Sequence, residues 1–484
     1  MWFYRLVRNK DKKMVGYHQF GGKVLMLNDL DLVKQVFVKD FNHFVDRWPR
    51  SLKFDTERLN NMMFFAPGDD AWTQMRHAGS PAFTSGKLKH MSKIINKVAC
   101  DLIDYLDKIS VTGEEVSAKE VASRFTVQSI ASTGFGIEAN TFDDNPQGSQ
   151  FYSMARRMVE GEVSLRMLLK NLLVFSAPSF ANIFNMKLEG IDKGAVEYFE
   201  NIIKQQIKLR KNKTKKRNDM IDLLTEALMG HASNDEEVKR QIEEELEVAK
   251  PAKVTAIKEE MLEDALISNL ILLFLAGYDT SSNMMAACMF FLAKDQDIQA
   301  HLFQEINDAD FNEKMDYNTI MNLPYLDMVV YESMRHFPII EVTRLCTQDY
   351  KIPGSNFTIP EGMTVIAPAL GIMMDEKYYP NPTKFNPEHF SPENKEKRSP
   401  YAFLAFGIGP RNCIGNRLGL LQFKSGIAHI VQNFKIMESP RTPEKLEMDP
   451  KKQGSNIKDG PWVKFQRRGI HGRRLSRQGS VQAS

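Results

Sequence analysis

Phe406-Gly407-Ile408-Gly409-Pro410-Arg411-Asn412-Cys413-Ile414-Gly415 sets one cysteine in a glycine-rich turn, just ahead of the apolar run Leu418-Gly419-Leu420-Leu421 that can begin a helix. A thiolate is a soft, strongly donating metal ligand, and turn amides aimed at the sulfur help to hold it as an anion. The glycines let the backbone pass close beneath a flat bound group. Phe406 can screen the sulfur from solvent, and Arg411 can meet a carboxylate. The plain alternative is a small buried hydrophobe in an ordinary Gly-Pro turn. Ten residues arranged this way favour Cys413 as a metal ligand, and the rest of the chain has to supply what such a ligand needs.

At 484 residues the chain can hold two or three average domains or one large helical one. Its 43% apolar and 26% charged residues are ordinary for a globular protein, and a net charge of +3 gives no reason to expect nucleic acid as a partner. Cys100, Cys288, Cys346 and Cys413 share no repeated spacing, so neither a disulfide framework nor a zinc cluster is expected, and a reducing compartment leaves Cys413 free. The start, Met1-Trp2-Phe3-Tyr4 followed by Arg5, Arg8, Lys10, Lys12 and Lys13, reads as neither a signal peptide nor a spanning helix. Leu266 to Ala293 is long enough to span a bilayer, but Asp279 and Asn283 at its centre favour a helix buried in a large core.

No internal repeat is present. The opening reads as strands at 14–20 and 23–27 and a helix at 29–38. Helices are expected at 71–109, 117–134, through 150–229 with turns, and at 264–293, 297–308 and 324–337. Residues 343–390 change to short alternating strands and Pro-rich loops. The basic run 204–217 and the acidic run 235–247 read as solvated faces. One large domain at 1–466 and a basic disordered tail at 467–484 are expected, with Arg473-Arg474-Leu475-Ser476 a short basic motif of the kind kinases use.

Leu275-Ala276-Gly277-Tyr278-Asp279-Thr280-Ser281 lies inside the long apolar helix. A mid-helix glycine costs about 1 kcal/mol relative to alanine, so something should offset it. A threonine that donates back to the carbonyl four residues earlier bends a helix, and for Thr280 that carbonyl belongs to Ala276. Trp72-Thr73-Gln74-Met75-Arg76 puts an indole N–H and a guanidinium on one helix face, a clamp for a carboxylate. Glu332 and Arg335 stand one turn apart and can pair.

These segments resemble the cytochrome P-450 haem-thiolate monooxygenases. The cysteine window matches that family's Phe-x-x-Gly-x-Arg-x-Cys-x-Gly pattern at each fixed position, with Phe406, Arg411, Cys413 and Gly415 in their places. Ala276, Gly277, Asp279 and Thr280 resemble its oxygen-activating helix, and Trp72 and Arg76 its propionate clamp. Arg344 aligns with another propionate-binding arginine and Arg47 more weakly with a third. Ala82-Phe83-Thr84-Ser85-Gly86-Lys87-Leu88-Lys89 and Tyr325-Leu326-Asp327-Met328-Val329-Val330 are similar to the animal microsomal clan that includes the drug-oxidising family 3.

The resemblance implies a mainly α fold with a minor β part and a single large haem domain. It implies haem b bound noncovalently, with Cys413 as axial thiolate, and proton delivery through Asp279 and Thr280. The implied reaction is monooxygenation of a lipophilic molecule by O2, with electrons from an NADPH-dependent flavoprotein reductase docking near Cys413. The implied place is the cytoplasmic face of the endoplasmic reticulum membrane; no anchor is expected in this chain, and the apolar stretch Leu172 to Ile183 is a candidate for peripheral contact. Met62 to Phe65, Phe274 and Ile339-Ile340 are expected to line the pocket. A peroxide isomerase and a haem-binding relative without turnover are the alternatives. Pro387-Glu388-His389-Phe390 stands where the family has Pro-Glu-Arg-Phe, so a weaker lock on Glu332 and Arg335, with haem less well retained at higher pH, is expected.

Overall fold

The hairpin at the start is set by its turn: Met14–Gln19 (β1) runs antiparallel to Gly22–Leu27 (β2), with Met14 opposite Leu27 and Gly21 in the left-handed region at φ 81°. The computed structural model describes residues 12–469 apart from 20, 144–145, 162–163, 212–216, 218, 229–258, 310–315, 338–339, 450, 453–455 and 459. The acidic run 235–247, Ile339 and the Arg473–Ser476 motif lie outside the described residues. Further strands are Val116–Ser117 (β3), Val342–Leu345 (β4), Tyr350–Lys351 (β5), Thr358–Ile359 (β6), Thr364–Ala367 (β7), Phe434–Glu438 (β8) and Trp462–Arg467 (β9). They form a four-stranded sheet in the order β1-β2-β7-β4, a three-stranded sheet β3-β9-β8 and the pair β5-β6. Arg344 on β4 sits opposite Val365, which fixes where its side chain leaves the sheet.

The principal helices are Asp70–Gly79 (α1), Ser85–Thr112 (α2), Ala118–Ile130 (α3), Pro146–Val159 (α4), Leu165–Ser176 (α5), Pro178–Ile183 (α6) and Lys193–Lys211 (α7). Met220–Leu228 (α8), Glu259–Lys294 (α9), Gln296–Asp308 (α10), Tyr317–Met321 (α11), Pro324–His336 (α12) and Asn416–Asn433 (α13) follow. The fold is thus mainly helical with a small β part, as the patterns imply. Two expected helices are punctuated: 29–38 becomes Leu30–Lys34 followed by a π turn at Gln35–Lys39, and 117–134 becomes α3 followed by a π turn at Ala131–Phe135. Glycine in the left-handed region at 136 ends the second of these.

Helix α9 is apolar on nearly all sides, the signature of a helix surrounded by others. It packs against α3, α7, α8, α12 and α13, so a segment long and apolar enough to cross a membrane is the spine of the core. Gly277 explains itself here. A Cβ at that position would lie 2.8 Å from Ile130 Cδ1, so the missing side chain lets α9 close on α3. At the other end of the chain, Arg468 donates to Val431 O and Phe434 O and lies over the Phe303 ring.

Candidate functional site

The turn at 406–415 is shaped by glycine where nothing else fits. Gly407 and Gly409 both have positive φ, at 71° and 69°, and a Cβ on Gly409 would sit 2.0 Å from the carbonyl oxygen of Phe37. The turn is closed by Cys413 N–H donating to Phe406 O at 2.8 Å. It delivers Cys413 one residue pair before α13 begins, with Gly415 N–H directed at the sulfur. Phe406 is half-buried against the core.

Cys413 is exposed, yet burial is the main influence raising its thiol pKa. The two facts agree if the sulfur is surrounded by protein but opens onto interior space. Gly415 N–H and the charges of Arg76 and Arg47 pull the other way and favour the thiolate. The same contrast appears on α9. Ala276 and Thr280 are exposed in the middle of a helix whose next residues, Ser281 to Phe290, are all buried. They lie four apart, hence on one face, and that face is left open. Thr280 Oγ1 donates to Ala276 O at 2.7 Å, the back-bond expected from the sequence, and α9 runs on unbroken through it.

Four arginines converge near the turn. Asp69 caps α1 by accepting from Trp72 N–H at 3.0 Å, which places Trp72 and Arg76 one turn apart on a buried face. Arg411 lies over the Trp72 ring, 4.2 Å from its centroid, and donates to Ala66 O. Arg76 donates to Asn412 Oδ1, and Arg47 to Arg411 O. Arg344, only 1% exposed, donates to Thr343 O and Ile408 O. Burial and mutual repulsion push Arg47 down to about 10 and Arg411 to about 9, and lower Arg344 as well. Among the described residues Arg47, Arg344 and Arg411 have no carboxylate within ion-pair distance, and the Nε of each is buried without a hydrogen-bond partner.

Comparison with known proteins shows which family the chain belongs to. The family model described as Cytochrome P450 matches residues 2–463. A probable cytochrome P450 9f2 of Drosophila melanogaster is 31% identical over 94% of this chain and 87% of its own length. Cytochrome P450 6j1 of Blattella germanica is 32% identical over 92% of this chain and 82% of its own. The chain belongs to the cytochrome P450 family. It is therefore an oxidoreductase of a family of monooxygenases, whose members carry haem ligated by a cysteine thiolate.

The residues present fit that group. A buried guanidinium without a counter-charge is costly, as at Arg344, and the orphaned Nε atoms of Arg47, Arg344 and Arg411 leave room for bound anions, although Asp46 and Asp69 partly offset the charge of Arg411. Haem brings two propionates, and Trp72, Arg76, Arg344 and Arg411, with Arg47 beside them, are the donors that can take them. The P450 lock is also built. Glu332 and Arg335 are wholly buried and joined by two bonds of 2.7 Å, while Arg335 also donates to Met373 O and Pro382 O. These contacts, with burial opposing, hold the Glu332 carboxyl well below the usual range. His389 fills the missing arginine's place from both sides: Nδ1 is 3.1 Å from Glu332 Oε1 and Nε2 is 2.8 Å from Pro380 O. Both partners are acceptors, so full satisfaction asks for two ring N–H donors. His336, 3.3 Å from the same oxygen, is a second imidazole that the sequence reading did not weigh.

Other expectations come out differently. Asp279 is turned away from the open face of α9: its Oδ1 is 3.1 Å from Lys119 Nζ on α3 and accepts from Asn283 Nδ2 at 3.0 Å. Phe274 does not line a pocket; it is fully buried in a ring cluster with Phe135, Phe151 and Phe199. Met62 is buried too, whereas Phe64 and Ile340 are exposed, Phe64 beneath the Arg47 guanidinium at 4.1 Å. Lys119 was not legible at all, since no motif links it to a residue 160 positions on.

Proposed function

We propose that this P450 inserts one atom of O2 into a lipophilic small molecule, with Cys413 as the haem ligand and an NADPH-dependent flavoprotein reductase as the electron source. The observation that carries this reading is Cys413, exposed at the end of its glycine turn, with the guanidiniums of Arg47, Arg76, Arg344 and Arg411 converging near it. Haem bound through a thiolate supplies the dioxygen chemistry. The chain's own part is to hold, screen and protonate.

Burial raises the Cys413 thiol, and Gly415 N–H with the guanidiniums of Arg76 and Arg47 opposes it, favouring the anionic sulfur that would ligate the haem iron. Trp72, Arg76, Arg344 and Arg411 would hold the propionates. Ala276 and Gly277 keep the open face of α9 low: the first has a small side chain, and the second lets the helix sink toward α3. Thr280 presents Oγ1 on that face, and Asp279 beside it is the acid that supplies protons to it. Large exposed apolar side chains on α5 and α6, including Leu165, Leu168, Leu169, Phe180 and Ile183, support peripheral contact with the cytoplasmic face of the endoplasmic reticulum membrane.

The test is turnover of a lipophilic probe with NADPH and reductase under isotopically labelled dioxygen. One labelled oxygen atom in the product is expected. Rearrangement of a lipid hydroperoxide into its isomer, with both peroxide oxygens retained and neither NADPH nor O2 consumed, would instead establish the isomerase alternative, and haem binding without any product the inactive one.

A further inference from the structure

The lock at Glu332 and Arg335 has an outer side. The run 377–386 covers it: Arg335 Nη2 donates to Pro382 O at 2.8 Å, Asn386 N–H donates to Glu332 Oε1 at 2.9 Å, and His389 Nε2 stands 2.8 Å from Pro380 O. Asn381 turns this run in the left-handed region, at φ 52°. Beyond the short helix Pro392–Lys397 comes Arg398, which donates from Nη1 to His389 O at 2.7 Å and lies over the Tyr379 ring, 4.3 Å from its centroid. The two runs line a cleft of about 700 Å³ that includes neither Cys413 nor Thr280. Its charge is one-sided. Lys377, Lys384, Lys397 and Arg398 line it beside the buried His389, and among the described residues no Asp or Glu does. Lys397 is paired with Glu393 one turn away, an exposed pair that offsets little of the charge. Lys377, Lys384 and Arg398 have no carboxylate within ion-pair distance among the described residues. Burial lowers the pKa of Arg398, and Tyr379 and Glu332 only partly offset that, as for a half-buried cation without a counter-ion.

We propose that this cleft binds a small molecule carrying at least two phosphate groups, and that its occupancy tightens the Glu332–Arg335 lock. Three cations without counter-ions in one concavity call for more than a single negative charge. The bond from Nη1 leaves the other N–H groups of Arg398 for an occupant, and Asn381 and Asn386 line the cleft with side-chain amides. Several N–H donors around a concavity suit phosphate oxygens, and the volume suits a small molecule of nucleotide size. The occupant bridges two walls, with Lys377 and Lys384 on one and Arg398 on the other. Both walls are bonded to the lock, the first through Pro380 O and Pro382 O and the second through His389 O. Holding the walls together restrains Arg335 and His389 where they meet Glu332. A soluble diphosphate and a lipid headgroup bearing two phosphates share this chemistry.

Pyrophosphate is titrated by calorimetry into the haem-loaded chain at fixed ionic strength, with sulfate as the control anion. Wild type is compared with Arg398→Gln and with the double variant Lys377→Gln/Lys384→Gln, whose exposed side chains can change without disturbing the core. One saturable site is expected in wild type, about tenfold or more weaker in each variant, as charge-assisted contacts are lost. In wild type, pyrophosphate should raise the thermal midpoint and slow haem transfer to apomyoglobin, and both effects should be sharply smaller in the double variant. Vesicles containing a bisphosphorylated inositol lipid separate the two sources. Capture that pyrophosphate competes away and the double variant lacks assigns the headgroup; pyrophosphate binding without such capture assigns a soluble ligand. No saturable binding in wild type, equal affinity in the double variant, or an equal response to sulfate overturns the site. Binding with an unchanged rate of haem transfer overturns the link to the lock. If wild type binds no pyrophosphate but the double variant needs more reductase for half-maximal turnover, the cleft is a docking face for an acidic protein and the proposal fails.

Discussion

Replacing Arg344 with methionine should change two free energies in opposite directions. The Arg344 side chain is almost wholly buried, repelled by Arg47 and Arg411, and balanced among the described residues by hydrogen bonds to the carbonyls of Thr343 and Ile408 and by the Phe37 ring, 5.4 Å from the guanidinium. Taking an ion of this size out of water costs several kcal/mol even after relaxation. Two bonds from a charged donor return roughly 1.5–3 kcal/mol each. Methionine is unbranched and adaptable, so it can occupy the vacated stem without severe overpacking. In the haem-free chain the net effect should be stabilising by about 1–3 kcal/mol, the scale found when buried ions give way to apolar groups. Haem affinity should fall, because one charge-assisted contact to a propionate is lost, again about 1.5–3 kcal/mol. That is roughly a ten- to 150-fold weaker dissociation constant. Urea unfolding of the haem-free chain and haemin titration measure the two quantities. A variant that is less stable without haem and binds haemin as tightly as wild type would refute the reasoning, since the arginine cluster would then be self-sufficient structure.

Gly409→Ala should destabilise by about 2–5 kcal/mol, combining a left-handed backbone cost of roughly 1–2 with roughly 1–3 for shifting Phe37 away from the new methyl; an unchanged thermal midpoint would contradict that. Burial lowers His429 from 6.5 to about 4, so the unfolded chain binds more protons between those values and stability should fall as pH drops through that window. The loss should approach about 3 kcal/mol near pH 4, be largely absent above pH 6.5, and be missing from the pH slope of His429→Leu. Glu332 contributes a loss of the same sign only below its ordinary 4.5, whereas His336 and His77, also lowered by burial, add to the loss below 6.5, so the difference between wild type and His429→Leu is what isolates His429.

What could be read from the sequence was whatever is local. The Cys413 turn, the Trp72 and Arg76 pair and the Glu332 and Arg335 pair each lie within a few residues, where spacing alone sets geometry. The back-bond from Thr280 to Ala276 belongs with them. Contacts across the fold were not legible. Gly277 reads as a weakness in a helix until Ile130 of α3 is seen against it. Asp279 reads as an acid of the open face, but the partner that turns it away, Lys119, is carried on a different helix. Phe274 was misplaced for a related reason: a helix apolar all round gives no periodic clue to which residues face neighbours and which face open space. His389 could be seen as a substitution, but not that Pro380 O would give it a second acceptor.

The most direct test of the whole account is the difference spectrum of the reduced, haem-loaded protein with carbon monoxide. Thiolate ligation by Cys413 predicts the long-wavelength Soret band from which the family takes its name, and its loss in Cys413→His. A wild-type protein that binds haem yet shows only the shorter-wavelength band, or a Cys413→His variant that keeps the long-wavelength one, would contradict Cys413 as the ligand.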